Sequence, residues 1–542
     1  WRASIAGSLT ERWQESFTMP DLLVAGTLHT LDPARPVAQS VLIRNGRFAK
    51  VGTREECERA SESDVRYIEL GEGCAVPGLI DAHGHPLLLA RNLAEVRLGG
   101  ARSEQECVDR VVQHARAVPQ GSWIGGAGWD QNLWPRRDFP DSVLLSAATP
   151  EHLVALSRVD VHALWCNELA LRAAGIGAST PDPPGGRILR RGDGTPTGVL
   201  IDTAMDLVRR AIPAPGGRET EEMLLRSLRA LAAVGLTCVH DASAGPEVLA
   251  AYARLAERDE LPVRVYAMID GQGPGLDEEM RAWRERPSLG KLTVRSVKLF
   301  ADGALGSRGA AMFEPYEDDS GNTGLWLMDP RELGERILRV AAAGYQPSVH
   351  CIGDRACAFV LEAFTRVPPG LRPRAEHLQI VRARDVPLLK RSGATASMQP
   401  THATSDGPWA EERLGRGTER QRGAYAWRQA LDAGVPLAFG SDFPVEGIDP
   451  REGLRAAVAR KTAKGTVWMP EQRLRREEAL HAFTAGAARA EFAEGRRGCI
   501  REGFDADLTV FGRDVMSIHI DELPRAAVTA TLVQGRVVYA GD

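Results

Sequence analysis

The sequence predicts an α/β fold: a (β/α)8 TIM barrel with a composite β-sandwich domain built from the two chain ends. Three observations lead there. Eight short apolar runs alternate with helix-like segments through the middle of the chain, five of them end in a potential metal ligand, and both termini read as short alternating strands. Alternating strand and helix signals indicate parallel βα units, and eight such units that close on themselves make a barrel.

Taken in order, residues 1–20 read as an N-terminal extension. They lack the apolar stretch of a secretory signal and an initial Met, so Met19 is a candidate start and the first 18 residues an upstream addition. Residues 21–76 form the first part of the sandwich, with strands broken by turn pairs such as Asn45-Gly46. The barrel spans 77–495, with strands expected at 78–81, 236–239, 263–268, 294–299, 346–349, 374–376, 395–398 and 436–439. Helix-like segments at 221–235 and 330–344 alternate with them. The gap between the first two strands, about 150 residues, far exceeds an ordinary βα connection. Residues from about 95 to 220, rich in Trp, Pro and Gly, are therefore expected to be an insertion over the barrel mouth. Residues 496–542 return to the strand texture and complete the sandwich.

Composition excludes several classes. With 43% hydrophobic and 26% charged residues over 542 positions, the chain is globular. Lys and Arg total 67 against 72 Asp and Glu, a net charge of −5 with no basic block, which argues against nucleic acid or an anionic membrane as partner. No apolar run approaches the length of a transmembrane helix. The eight Cys are scattered without a C-x-x-C, as expected of reduced buried thiols, and the cytoplasm is the default compartment.

The chemistry lies at the strand ends. The first strand runs into Asp81-Ala-His83-Gly-His85, the fourth carries Lys298, the fifth ends at His350, the sixth at His377, and the eighth leads to Asp442. Barrel enzymes place reacting groups at these C-terminal ends. His83 and His85, two apart on an extended segment, share a face and can grip one ion. Singly, each of these histidines reads as a loop or core residue and Asp442 as a turn residue. Together, in this order, they read as a metal centre.

Lys298 lies between Val297 and Leu299-Phe300, and only six residues of this chain are lysine. A buried lone ammonium is costly. Either the side chain snorkels or pairs with a carboxylate such as Asp302, or burial lowers its pKa and the neutral amine takes up carbon dioxide as a carbamate that bridges two cations.

The segments VPGLIDAHGHP, SVKLFADGALGSR, SVHCIGDRA, RAEHLQI and FGSDFPV resemble the signatures of the amidohydrolase superfamily, more narrowly its N-substituted formamide deformylase-like (YtcJ-like) branch. GWDQNLW (128–134), RVDVHALWCNELAL (158–171) and GGRILRRGDGTPTGVL (185–200) are similar to insertion motifs of that branch, with Val161 where Gly is common and Asp202 where Glu is frequent. The resemblance covers nearly the whole chain. It implies metal ligands at His83, His85, Lys298, His350, His377 and Asp442.

These readings converge on a metal-dependent hydrolase of non-peptide C–N bonds in a small molecule: an N-substituted formamide, an amide or a cyclic amide. Zinc suits the donor set best, as one or two ions, with manganese, iron or nickel as alternatives. His83, His85 and Asp442 would hold one ion, His350 and His377 a second, and Lys298, N6-carboxylated, would bridge them. Asp442 would act as general base and then acid, and the metal, assisted by His240 at the end of the second strand or by His162 in the insertion, would stabilise the tetrahedral oxyanion. Trp129, Asp160, His162, Asp302, Ser307 and Arg308 are candidate substrate contacts, with Trp134 and Trp165 beside Trp129 in an aromatic pocket. A lactonase or phosphoester hydrolase on the same site, or a non-catalytic scaffold retaining the fold, are the alternatives. Exposed sheet edges of the sandwich would support a homodimer.

Overall fold

A computed structural model describes residues 20–61, 65–159, 162–213, 215–273 and 275–541. The extension proper, with Met19, lies outside the described residues. The chain divides into two compact units, one formed by residues 1–89 and 220–542 and the other by Ala90–Glu219. Among the described residues no helix is long and apolar enough to cross a membrane.

In the first unit, all eight expected barrel strands are present: Leu79–Gly84, Leu236–Ala244, Arg264–Asp270, Leu292–Phe300, Gln346–Cys351, Arg374–His377, Thr395–Met398 and Leu437–Phe439. They pair in sequence order, each parallel to the next. The sheet closes where the segment after the eighth strand meets the first, through a parallel bridge between Gly84 and Phe443. Closure demands two glycines. A Cβ on Gly84 would stand 2.2 Å from the Phe443 ring, and one on Gly440 would stand 2.4 Å from the His83 nitrogen. Both glycines sit inside the motifs that carry candidate ligands.

The outer helices follow their sequence. In Pro330–Ala342, Asp329 caps the N-terminus by accepting from the Arg331 and Glu332 amides, and Pro330 fits the first turn. Its buried residues, Leu333, Ile337, Val340 and Ala341, make one apolar stripe against the barrel.

The two chain ends share one seven-stranded sheet. Its order is Arg536–Ala540, Val528–Val533, Leu508–Phe511, Val65–Pro77, Asp21–His29, Val37–Arg44 and Arg47–Gly52. Its core draws on both ends, with Val24, Val41, Phe48, Leu508 and Leu532 in one cluster. Arg264, at the start of the third barrel strand, is 3% exposed and donates to Asp507 (2.7 Å) and Asp505 (3.1 Å), tying this sheet to the barrel.

The second unit is built on a six-stranded sheet, in order Gly186–Arg190, Pro196–Asp202, Ala163–Cys166, Leu153–Arg158, Trp123–Trp129 and Val96–Arg97. It contributes two apolar clusters of its own.

Candidate active site

The C-terminal end of the barrel gathers the expected groups. Asp442 donates its amide to the His83 carbonyl (2.7 Å), and His85 donates its amide to Phe443 (2.9 Å), so the first strand and the loop after the eighth are laced together. The buried Asp81 carboxylate secures that junction. It accepts from the His83 amide (3.0 Å) and from both the amide (3.1 Å) and the hydroxyl (2.6 Å) of Ser441. His377 (φ 69°) and Asp442 (φ 61°) both adopt the left-handed backbone region, which is costly for residues with a Cβ and concentrates at functional sites.

One ligand atom each from His83, His377 and Asp442 lies within 4.8 Å of the others, and all three residues are buried. Nε2 of His85 stands 3.2 Å, and Nε2 of His83 3.6 Å, from Oδ1 of Asp442. The His377 ring is 4.7 Å from both the His83 and the His350 rings, centroid to centroid. Lys298, 1% exposed, reaches to 3.2 Å from His83 Nε2, its one hydrogen-bond partner among the described residues. Thus all six expected residues meet. His350 Nε2 is buried without a hydrogen-bond partner, as a donor atom meant for something beyond the chain would be.

Burial sets the protonation states. It lowers His83 to about 4 and His350 to about 3, with the Lys298 charge adding to both, and it holds His377 well below the usual histidine range. These imidazoles are therefore neutral at pH 7, with lone pairs free. Burial also brings Lys298 down to about 8. For Asp442 burial works upward, but the hydrogen bond from His85 and the neighbouring histidines outweigh it and hold the carboxyl well below its ordinary value. Neutral imidazoles around a carboxylate, next to a partly neutral amine, form a donor set that fits a divalent cation. Two other three-residue groups, around Cys74 and Cys238, have the spacing for an ion. Their thiols are held protonated by burial, Cys74 at about 12 and Cys238 well above 9.

A supporting layer was not expected from the sequence. Nδ1 of His83 donates to Glu376 (2.5 Å), and Nδ1 of His377 pairs with the Gln399 side-chain oxygen (2.8 Å), leaving Nε2 of each for the centre. Arg374, fully buried, donates to Glu376 (2.8 Å), to the Ala82 carbonyl (2.6 Å), to Ser397 (3.1 Å) and to Nδ1 of His240 (2.8 Å). The signal was present: Arg374 and Glu376 alternate in a strand otherwise wholly buried, and charges in such a place require each other. His402 was also missed. It lies in the first turn of Pro400–Leu414, with Nε2 buried, unpartnered and 3.7 Å from Oδ2 of Asp442. It follows the seventh strand, four residues after Met398, too far along the chain to read as a strand-end ligand.

Several expectations are corrected. His240 does not face the mouth: it is fully buried inside the barrel and accepts from Arg374, where burial and that guanidinium hold it well below the usual histidine range. Asp302 is fully buried and accepts from the amides of Ala311, Ile352 and Gly353, so its oxygens hold the loop after the fourth strand instead of meeting a substrate. Nor does it pair with Lys298. Arg308 is engaged by Asp318 (2.7 Å), and the exposed Ser307 turns its hydroxyl to the Ala304 carbonyl.

In the 90–219 unit, Trp129 is fully buried and packs 6.1 Å from Trp134 and 6.2 Å from Trp165, which lie 6.4 Å from each other, its indole N–H given to the Leu156 carbonyl. These indoles fill a core. His162 is exposed, with Nδ1 2.8 Å from Asp202. Asp160 and Val161 lie outside the described residues.

Residues 66–539 match the amidohydrolase family profile. The chain belongs to the amidohydrolase family. This amidohydrolase is 31% identical to YtcJ of Bacillus subtilis (strain 168) over 527 residues, 95% of this chain and 98% of that protein. It is 27% identical to the N-substituted formamide deformylase of Arthrobacter pascens, covering 96% and 98% of the two chains. Its fold superposes on an uncharacterized metal-dependent hydrolase from Pyrococcus horikoshii OT3 with a TM-score of 0.78, at 25% identity over 92% of this amidohydrolase and 99% of that structure. The protein is thus a metal-dependent amidohydrolase with a TIM barrel.

Proposed function

We propose that this amidohydrolase cleaves a non-peptide C–N bond, in an N-substituted formamide, an amide or a cyclic amide, at a centre held by His83, His85, His350, His377 and Asp442. The observation that carries this reading is the buried convergence of His83, His377 and Asp442 within 4.8 Å. The likeness to the Arthrobacter pascens N-substituted formamide deformylase supports the C–N class. A divalent cation, zinc by the donor set, supplies Lewis acidity that activates water and polarises the substrate carbonyl.

The chain's own groups do the rest. Asp442, kept ionised beside His85, takes the proton of the attacking water on a carboxylate oxygen and returns it to the leaving nitrogen, so water adds across the C–N bond without net proton change. His402 Nε2, unpartnered and beside Asp442, would donate to the developing substrate oxyanion when it carries the proton. Lys298 has no carboxylate partner among the described residues and a pKa near the working range. Its neutral amine would add carbon dioxide to give a carbamate and one released proton, supplying an anionic ligand beside His83.

The test is a panel of formamides, anilides, lactones and aryl phosphates with zinc- or manganese-loaded protein. Turnover of formamides or anilides that falls away in His83→Ala and Asp442→Asn, together with bound metal, is expected. Hydrolysis confined to lactones or aryl phosphates would overturn the C–N assignment, and a wild type without stoichiometric metal would overturn the centre. Native mass of the intact protein decides Lys298: a wild type lacking the added mass of carbon dioxide removes the carbamate.

A further inference from the structure

At the opposite end of the barrel, where the fourth and fifth strands begin, lies a cavity of about 330 Å³. Its charged wall residues are four arginines, at 284, 295, 496 and 497, and one acid, Glu491. Two of the arginines are committed: Arg496 to Asp505 (2.7 Å), and Arg497 to Glu491 (3.1 Å). The other two are not. Arg284 and Arg295 have no carboxylate within ion-pair distance among the described residues. Arg284 ends the helix Leu276–Arg284, where a cation offsets the helix dipole. Arg295 has no such task. Its guanidinium carbon stands 3.7 Å from the centroid of the Phe492 ring, a cation–π contact that positions the group.

Two further observations set this wall apart. The Arg497 side chain is only 10% exposed, yet its Nε has no hydrogen-bond partner. Buried donors are nearly always satisfied, and Glu491 Oε1 is likewise without a hydrogen-bond partner, so this ion pair leaves a donor and an acceptor unused behind the cavity wall. Phe492, the ring that orients Arg295, holds φ at 63°, a strained conformation for an aromatic residue that persists where it shapes a site.

The floor of the cavity is wired to the other end of the barrel. Glu491 Oε2 stands 3.8 Å from Nε2 of His240, whose Nδ1 accepts from Arg374 at 2.8 Å. Arg374 donates to Glu376, and Glu376 receives Nδ1 of His83 at 2.5 Å. All five residues are buried; the first step, from Glu491 to His240, is a through-space contact without a hydrogen bond, and the other three are hydrogen bonds. That also accounts for His240, which the proposed chemistry does not use.

We propose that this cavity binds a small organic carboxylate, gripped by Arg295 with Arg284, and that its occupancy is felt at His83 through Glu491, His240, Arg374 and Glu376. Carboxylate is the class the wall selects. Guanidinium forks match it in two-point geometry, Pro287 and Phe492 accept an apolar body, and Glu491 opposes a close dianion such as phosphate.

Benzoate is the probe, titrated calorimetrically at fixed ionic strength into zinc-loaded and zinc-free full-length protein. Saturable binding is expected, weaker by roughly ten- to a hundredfold in Arg295→Leu, the equivalent of one charge-assisted hydrogen-bonded contact. No binding to the wild type, or equal affinity in Arg295→Leu, overturns the site. If Arg295→Leu does not fold, Arg284→Gln at the exposed rim decides: several-fold weakening supports the site, and unchanged affinity overturns it. Linkage makes the coupling measurable, because benzoate and zinc must alter each other's affinity by the same factor. About a fivefold difference between zinc-loaded and zinc-free protein is expected, and equal affinities overturn the connection to His83. Benzoate binding that requires zinc and survives in Arg295→Leu belongs to the metal centre and counts against the cavity.

Discussion

Nδ1 of His83 lies 2.5 Å from a carboxylate oxygen of Glu376, a residue 293 positions away in the chain. Burial alone would raise the pKa of Glu376, yet the Arg374 charge and His83 keep it well below the ordinary value, so it remains an acceptor. That contact fixes the imidazole's tautomer and aims Nε2 at the centre. Glu376→Gln should therefore weaken zinc binding by roughly ten- to a hundredfold while leaving every proposed ligand in place. A competition titration against a chromophoric chelator reads this directly. An unchanged zinc affinity would show that the ring is oriented by packing alone.

His402 faces Asp442 without a hydrogen-bond partner on Nε2. If it donates to the oxyanion, His402→Ala should lower kcat by about 10²- to 10³-fold with zinc content unchanged. Metal analysis beside the kinetics separates the roles. Loss of zinc from His402→Ala would make it a ligand, and a normal kcat would make it a bystander.

The buried imidazoles make the metal-free protein sensitive to acid. In the unfolded chain histidines titrate near 6.5, whereas the fold holds His83 at about 4 and His350 at about 3. Between pH 6.5 and 4 the unfolded chain binds more protons, so stability falls as pH falls, by about 1.4 kcal/mol per pH unit for each such group. Urea midpoints of zinc-free protein at pH 7.5, 6 and 5 should decline in step, and His350→Asn should flatten the slope. Midpoints that do not move across this window would contradict the burial of these groups.

Arg264 joins the barrel to the C-terminal part of the terminal sheet through Asp505 and Asp507. Removing it leaves Asp507, 7% exposed, with its charge unmatched. Arg264→Ala should cost roughly 3–5 kcal/mol of unfolding free energy, the range for breaking a buried pair from one side. Denaturant unfolding tests this, and a loss below about 1 kcal/mol, the range of an exposed pair, would mean that solvent or Arg496 compensates.

The eight barrel strands and the six converging residues were legible because their signals are local. A β-branched run marks a strand, and a ligand at its C-terminal end is placed by the direction of the chain. His240 and Asp302 also sit near strand ends, and local reading put both at the mouth. The structure assigns them to Arg374 and to three loop amides, partners far away in sequence. Trp129 was nominated by a motif, but whether an indole fills a core or lines a pocket depends on what packs against it. Here that is Trp134 and Trp165.

The sequence by itself determined which segments become parallel strands, which donor atoms stand at their ends, and the family to which the chain belongs. Periodicity and residue type suffice for these, since backbone geometry converts them to position without reference to distant parts. Only the tertiary structure decided how those donors are oriented and charged. Glu376 behind His83, Gln399 behind His377 and the burial that keeps the imidazoles neutral all arise from neighbours brought together by barrel closure, and hydrogen bonding and desolvation act through space, not along the chain.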